Sequence, residues 1–197
     1  MTYDETINYL FNAAPLFQNV GAGAYKEGLS NTHLLDAHFN HPHNQFKTIH
    51  VAGTNGKGSC VHTIAAMLQH KELRVGLYTS PHLVDFRERI RINGQMIPQQ
   101  YVVDFVENER SFFEPLHPSF FELTTALAFK YFADEGVDVA VIEVGLGGRQ
   151  GLSAKFLHIR RWLRAGFLHT RTWMQRTSLH SPSAPLPHSQ QHFQVTS

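Results

Sequence analysis

The sequence predicts an α/β fold in which a mainly parallel β-sheet is flanked by helices. A short apolar strand at residues 48–52 runs directly into a glycine-rich turn and then into a helical apolar stripe that ends near Lys71. A second apolar run follows at 75–78, and the helix between the two runs is long enough to connect parallel strands. Residues 137–144 form a third, nearly continuous apolar run, which is typical of a strand covered on both faces.

Two helices are predicted before the first strand. Residues 3–11 carry apolar side chains at helical spacing, and acidic residues lie in the first turn, where they suit the helix dipole. Asn31 is suited to cap a short second helix, which the His41-Pro42 pair would end.

A hairpin and two further helices are predicted after the second strand. Isoleucines 90 and 92 alternate with arginines before Asn93-Gly94, a pattern typical of a β-hairpin with a two-residue turn. Pro98 is suited to the first turn of a helix that carries apolar residues 102–106. Another helix is predicted at 121–135, where Gly136 would end it.

Composition limits the class of protein. Hydrophobic residues make up 42% of the 197 residues, which is ordinary for a globular protein. No run of about 18 apolar residues is present, and the N-terminus is acidic where a signal peptide would be basic, so we expect a cytoplasmic protein. The single cysteine, Cys60, excludes an intramolecular disulfide and a cysteine-based zinc site. Histidines 41, 43 and 50 show no metal-ligand spacing and are interpreted as structural or surface residues.

Charge divides the chain into two parts. Residues 1–143 hold all 16 acidic residues and 10 of the 17 basic ones, whereas residues 144–197 hold 7 basic residues and no acidic one. Such a basic segment is typical of an arm that binds nucleic acid or lipid, or of two parts that do not belong together. Residues 181–189 are rich in Pro, Ser and His without an apolar period, so we expect disorder in the tail.

The glycine-rich turn after the first strand predicts a phosphate-binding loop. Backbone N–H groups of such a turn and of the following helix N-terminus point at one spot, where an anion is favoured, and a lysine adds a cation for the β- and γ-phosphates. The standard pattern would place a glycine at Val51 and a hydroxyl residue at position 58, so the match is inexact, and the alternative is a tight turn only. The predicted loop comprises Gly53, Thr54, Asn55, Gly56, Lys57, Gly58 and Ser59.

Glu143 and Ser80 predict a magnesium site beside this loop. A carboxylate inside a run of valine and isoleucine is costly unless it meets a cation or hydrogen-bond donors, and Mg²⁺ accepts a few protein oxygens together with phosphate and water. The carboxyl ends of parallel strands share one edge of a sheet, so Glu143 and Ser80 would lie at the edge that carries the loop. The alternatives are an arginine-paired or edge carboxylate for Glu143 and an ordinary Ser-Pro turn for Ser80.

A run of charged residues at 85–91 has two interpretations. Its side chains are suited to contact an acidic substrate, but their alternation with Ile90 and Ile92 is typical of a half-buried hairpin. We interpret the run as a solvated face. Its charged members are Asp85, Arg87, Glu88, Arg89 and Arg91.

Four stretches, in order and at suitable spacing, resemble the folylpolyglutamate synthase and dihydrofolate synthase family, which is related to the Mur peptidoglycan ligases. Residues 48–59 (TIHVAGTNGKGS) resemble its phosphate loop, 78–82 (YTSPH) its magnesium-serine loop, 119–122 (SFFE) part of its pteroate pocket, and 141–149 (VIEVGLGGR) its metal-glutamate strand. The resemblance covers about residues 1–149. Gly58 favours the folate branch, because Mur ligases typically carry a hydroxyl residue there.

The resemblance implies a fold like the central domain of the Mur ligases and a ligase activity. Lys57 and the loop amides would hold ATP, Ser80 and Glu143 would hold Mg²⁺, and a carboxylate of dihydropteroate or folate would pass through an acyl phosphate that the amino group of L-glutamate attacks. The full-length family member would act as a monomer on small molecules, without membrane or nucleic acid. The residues that would border the substrate are Ser119, Phe120, Phe121 and Glu122.

The resemblance ends at Arg149, after which Gln150 begins the basic tail. We therefore expect an ATP-binding domain at 1–149 that is incomplete and a tail at 150–197 that is disordered or frameshifted, so that this chain is an inactive or partial ligase. Two alternatives remain: a non-catalytic nucleotide-binding module whose tail contacts RNA or an acidic partner, and a small phosphoryl-transferring enzyme that uses the same loop.

Overall fold

The computed structural model describes residues 1–13, 30–53 and 55–143, and the backbone of residues 192–196. Three short 3₁₀ turns, Pro42–Asn44, Phe86–Arg89 and Glu114–Leu116, join the longer elements. The helices of the described chain are α1 (Tyr3–Ala13), α2 (Ser30–His38), α3 (Lys57–Gln69), α4 (Gln99–Phe113) and α5 (Phe120–Asp134). Its strands are β1 (Lys47–Ala52), β2 (Val75–Tyr78), β3 (Ile90–Ile92), β4 (Gln95–Met96), β5 (Val139–Glu143) and β6 (His192–Thr196).

The strands form one sheet in the order β4-β3-β2-β5-β1-β6. The three central strands are parallel, and the other three run antiparallel to their neighbours. The predicted β1–α3–β2 unit is therefore present, but its two strands are not adjacent, because β5 lies between them. The registers place Val51 of β1 opposite Glu143 and Tyr78 of β2 opposite Ile142, so β5 is the central strand of the parallel part of the sheet.

Both faces of the sheet are covered, as the apolar run at 137–144 predicts. Val139 and Val141 pack with residues of α3 in one hydrophobic cluster, whereas Ala140 and Ile142 belong to a larger cluster on the other face. That larger cluster takes its side chains from α1, α2, α4 and α5. The alternation follows from the two-residue period of a strand, and it confirms the α/β fold with helices on both sides.

The hairpin and helix predictions are confirmed with small boundary shifts, but the predicted cap at Asn31 is wrong, because α2 already begins at Ser30. Asn93 and Gly94 both adopt positive φ, 47° and 81°, the combination that a type I′ turn requires between β3 and β4. Pro98 precedes α4, and α5 begins at Phe120, one residue before the prediction. Gly136 ends the connection after α5 with a φ of 62°, a conformation that favours glycine.

Part of the tail is ordered in a way that the sequence did not predict. Residues 192–196 form β6, which pairs antiparallel with β1 and extends the sheet beyond it. The other tail predictions, for residues 150–191, lie outside the described residues, as do Thr54 and residues 144–149 of the stretch that resembles the metal-glutamate strand. Among the described residues, no helix has the length and apolar character needed to cross a bilayer.

His50 is buried in β1 without a hydrogen bond from the described residues to either ring nitrogen. Its backbone lies between those of Ile142 in β5 and Gln194 in β6. Burial disfavours the charged imidazolium and lowers the pKa of His50 to about 4. The folded protein therefore holds this histidine neutral at pH values at which the unfolded chain would protonate it.

This burial predicts a stability loss on acidification that depends on His50. Because the unfolded state binds the proton first, stability should fall as the pH drops from about 6.5 to about 4, by up to about 3 kcal/mol. His50→Leu should remove this part of the pH dependence. Denaturant unfolding at pH 7, 6, 5 and 4 measures it, with exposed His33→Leu as the matched control. Parallel pH profiles of wild type and His50→Leu would contradict the assignment.

Candidate functional site

The candidate site lies at one edge of the sheet, where the carboxyl ends of β1, β5 and β2 meet. The loop at 53–56 leaves β1, Glu143 is the last residue of β5, and Ser80 follows β2. The parallel registers bring these three segments side by side, as the sequence predicts for the loop, Ser80 and Glu143. Open α/β sheets bind ligands at this edge.

The loop between β1 and α3 has the geometry of an anion cradle. Gly56 precedes α3 with a φ of 75°, and no side chain of the described residues caps this helix N-terminus, so the first-turn amides of a 13-residue helix face the loop. Lys57 is the first helical residue, and its Nζ donates a hydrogen bond to the Gly53 carbonyl at 2.9 Å. The lysine therefore lies folded back over the loop. Asn55 and Ser59 are exposed, and a Cβ atom added at Gly58 would meet no other residue within 4 Å.

Glu143 supplies a buried carboxylate beside this cradle. Its residue is only 6% exposed, and the backbone N–H of Ser80 donates to its Oε2 at 3.3 Å. By the two-residue alternation, Glu143 continues the face that carries Val139 and Val141, which is the face of α3. A carboxylate that is buried with one long hydrogen bond from the described residues is well suited to a cation. Ser80, whose backbone N–H makes this contact, also carries a hydroxyl oxygen, and carboxylate and hydroxyl oxygens are ligand types that fit Mg²⁺.

Ser119 and Glu122 have a structural role that the sequence analysis missed. The Ser119 Oγ accepts a hydrogen bond from the Glu122 backbone N–H at 3.2 Å, and a Glu122 carboxylate oxygen accepts from the Ser119 backbone N–H at 2.7 Å. This reciprocal pair is a capping box at the start of α5. The other Glu122 oxygen accepts from the Thr32 hydroxyl at 3.3 Å. The Ser-x-x-Glu spacing itself was the signal that could have revealed the cap.

The two phenylalanines of the same stretch differ in exposure. Phe120 is buried, and its ring stacks on Phe11 with centroids 5.0 Å apart. Phe121 is half-buried and lies 6.1 Å from the Tyr78 ring, at the end of β2. Of the four predicted substrate residues, Phe121 therefore combines partial exposure with proximity to the strand that leads to Ser80.

Arg89 corrects the interpretation of the charged run as a solvated face. This arginine is 8% exposed, its guanidinium carbon lies 5.2 Å from the Phe120 ring centroid, and its Nε donates to His82 Nδ1 at 2.7 Å. Burial, followed by the Arg89 charge, lowers the pKa of His82, so His82 is a neutral acceptor. No carboxylate forms an ion pair with Arg89 within the described ranges.

Other residues of the charged run stabilise the 3₁₀ turn at 86–89 through hydrogen bonds. Asp85 caps the 3₁₀ turn at 86–89, and the Arg87 guanidinium beside it lowers the pKa of Asp85 to about 2. Glu88 returns the cap by accepting the Asp85 backbone N–H at 2.9 Å. This segment thereby fixes the chain between Ser80 and β3.

Curated proteins similar to this chain are named as folylpolyglutamate and dihydrofolate synthases. No protein-family model matches the chain. A probable bifunctional folylpolyglutamate synthase/dihydropteroate synthase of Haloferax volcanii is 43% identical over 155 residues, which are 75% of this chain and 17% of that protein. The folylpolyglutamate synthase of Lacticaseibacillus casei is 41% identical over 155 residues, 75% of this chain and 35% of that protein.

Solved structures give the same result. The folylpolyglutamate synthase of Thermotoga maritima superposes with a TM-score of 0.67 at 41% identity. The aligned region covers 77% of this chain and 35% of the Thermotoga maritima chain. A folylpolyglutamate synthase complex with AMPPCP and folate superposes with a TM-score of 0.65 at 38% identity, over 81% of this chain and 38% of its own. The chain thus spans less than two fifths of the length of these proteins.

The capping box predicts that Ser119 stabilises the fold. Ser119→Ala removes the acceptor for the Glu122 N–H, and the loss of a cap of this kind costs about 1 kcal/mol of folding free energy. The measurement is the denaturant midpoint of the wild type and of the variant. Ser111→Ala, on the exposed side of α4, is the control and should change the midpoint little. An unchanged midpoint for Ser119→Ala would contradict the structural role.

Proposed function

Because about three quarters of this chain belongs by sequence and fold to the folylpolyglutamate and dihydrofolate synthase family, we propose that it serves the ATP-driven ligation of L-glutamate to dihydropteroate or a folate. The observation that carries the proposal is the convergence of the phosphate loop, Ser80 and Glu143 at the end of β5. Cradle and carboxylate belong to different segments, and the fold alone brings them together. A turn with no ligand would not need either the lysine or the buried acid.

The loop residues would bind the phosphates of ATP. The first-turn amides of α3 point toward the loop with the positive end of the helix dipole, which favours a polyphosphate. Lys57 would exchange its hydrogen bond to the Gly53 carbonyl for a phosphate oxygen, since its ammonium already lies over the loop. It would then neutralise the charge that develops during phosphoryl transfer. Lys57 is thus the proposed catalytic residue, acting through charge and position.

Glu143 and Ser80 would hold Mg²⁺ between the sheet edge and the phosphates. When bound, the ion neutralises phosphate charge and fixes the phosphate geometry. Glu143 would bind through its carboxylate and Ser80 through its hydroxyl, while the Ser80 N–H keeps the carboxylate oriented from the side. The buried position of Glu143 keeps water away from the carboxylate and strengthens its attraction for the cation.

The substrate side would lie toward Phe121 and Arg89. Phe121 offers a half-buried aromatic face for a flat ring system, and the cap formed by Ser119 and Glu122 positions it. Arg89 offers a cation to an acidic substrate from a buried position beside Phe120. The proposed substrates are ATP, L-glutamate and dihydropteroate or a folate, handled by a cytoplasmic monomer without nucleic acid.

Nucleotide binding by the purified chain tests the proposal. We expect Lys57→Ala to weaken Mg-ATP binding by on the order of tenfold to a hundredfold, because a charge-assisted hydrogen bond contributes about 1.5–3 kcal/mol. Lys71→Ala, at an exposed lysine beyond the same helix, should bind normally. Calorimetric titration measures both. Equal affinity of Lys57→Ala and wild type would refute the phosphate-loop assignment.

Removal of magnesium tests Glu143 separately. Chelation by EDTA should weaken ATP binding by the wild type, whereas Glu143→Gln should bind ATP more weakly in Mg²⁺ and lose little more on chelation. Ser80→Ala should show a smaller effect in the same direction. A wild-type affinity that does not change with EDTA would rule out the magnesium site.

The ligase step is tested by phosphate release that requires both L-glutamate and either dihydropteroate or tetrahydrofolate. Binding of ATP with no substrate-dependent release is expected of an inactive partial ligase as well as of the non-catalytic nucleotide-binding module. Salt-sensitive binding of RNA that disappears on removal of residues 150–197 would favour the module.

A further inference from the structure

A second cluster of metal-ligand side chains lies away from the nucleotide edge, between α2 and β1. Asp36 Oδ2 is 2.6 Å from His41 Nδ1, and Asp36 Oδ1 is 2.6 Å from His43 Nδ1. One donor atom from each of the three residues lies within 4.8 Å of the other two. The sequence predicts a structural or surface role for His41 and His43, because histidines 41, 43 and 50 show no metal-ligand spacing.

Local folding brings the three side chains together. The His41 N–H donates to the Asp36 carbonyl at 2.8 Å and the Asn40 N–H donates to the Ala37 carbonyl at 3.0 Å, the bonding pattern of a Schellman motif at a helix end. Asn40 and His41 both take left-handed φ angles, 58° and 53°, which turn the chain back over the last turn of α2. Pro42 then starts the 3₁₀ turn that presents His43 to the other oxygen of Asp36.

The three side chains of the cluster differ in how far they are exposed to solvent. The Asp36 side chain is 8% exposed, that of His43 18% and that of His41 53%. The carboxylate thus forms the floor of the cluster and His41 its solvent side. Two imidazoles and a carboxylate form a donor set that suits zinc and similar first-row transition metals, whereas Mg²⁺ prefers oxygen ligands alone.

We propose that Asp36, His41 and His43 form a binding site for a transition-metal ion of the zinc class, with water as the fourth ligand. Tetrahedral coordination at the usual zinc distances separates neighbouring donors by about 3.3 Å. The imidazole that faces the metal-binding oxygen of Asp36 would therefore move back from it by about 0.7 Å, which small side-chain rotations supply. His41, as the half-exposed member, leaves the remaining position open to solvent.

The site is distinct from the proposed magnesium site. His43 precedes β1, whereas the phosphate loop follows it, so the two lie at opposite ends of a six-residue strand, about 20 Å apart. Bound metal would fasten the end of α2 to the segment that enters β1. Its expected effect is on the stability of the fold, because the ligands come from segments that part on unfolding.

Titration of the full chain with Zn²⁺, and with Co²⁺ as a spectroscopic probe, tests the site. The wild type should show one site stronger than the background of its other histidines and a visible Co²⁺ absorption typical of tetrahedral coordination. A tenfold excess of Mg²⁺ should not displace the ion. Thermal unfolding of the wild type should shift upward with Zn²⁺.

Three variants decide the assignment. His41→Gln, His43→Gln and Asp36→Asn should each weaken Zn²⁺ binding at least tenfold and abolish the thermal shift. His33→Gln and His70→Gln, at exposed histidines outside the cluster, should leave both unchanged. His41 is half-exposed, so His41→Gln tests the site even where loss of buried Asp36 prevents folding. Equal zinc affinity for His41→Gln, His43→Gln and the wild type would show that Asp36 only hydrogen-bonds the two histidines, and the proposal would fail.

Discussion

The pairing of β5 between β1 and β2 is the constraint on which the rest of the structure depends. The strand supplies hydrogen bonds to both neighbours, and its side chains alternate between the α3 cluster and the larger cluster on the opposite face. Its last residue is an acid that lies beside Ser80 and in register with Val51. This one strand therefore contributes to both hydrophobic clusters, joins β1 to β2, and ends where the proposed magnesium-binding residues meet.

The packing on each face of the sheet positions a different part of the candidate site. On one face, α3 begins at the loop and packs on the sheet through Val61 and Ala65, so apolar contacts fix the position of its N-terminus. On the other face, aromatic residues and the Ser119–Glu122 cap hold the start of α5 near the end of β2. Rigid packing on both sides fits a site that must hold its charged groups in place without support from solvent.

Much of the architecture was predictable because it depends on local patterns. The bounds of β2, the Asn93-Gly94 turn and the start of α4 after Pro98 each follow from a few adjacent residues. The strand order was not predictable, because no residue pattern in the run 139–143 indicates that this strand pairs between β1 and β2. β6 was missed for a similar reason: its pairing with β1 depends on a distant partner, and the alternation of Phe193 and Val195 with polar residues extends over only five positions.

The candidate site was predicted in outline and missed in its supporting contacts. The loop, Ser80 and Glu143 can be recognised in the sequence, because each places an unusual residue type at the end of a strand. Arg89 does not, because alternation with isoleucine looks alike for a buried and an exposed arginine, and only tertiary packing against Phe120 decides between them. The Asp36 cluster escaped notice because its spacing of five and seven residues becomes close only through a left-handed helix end.

The position of β5 also sets the order in which the protein can fold. The strands β1 and β2 are separated by one helix in sequence, yet neither finds its central partner until residues about 90 positions after β1 have been made. Until then a growing chain holds two strands with open inner edges, which are templates for pairing with other chains. The same insertion that brings Glu143 to the loop thus makes the sheet depend on contacts between distant residues, a topology that is expected to fold slowly and to expose strand edges before it is complete.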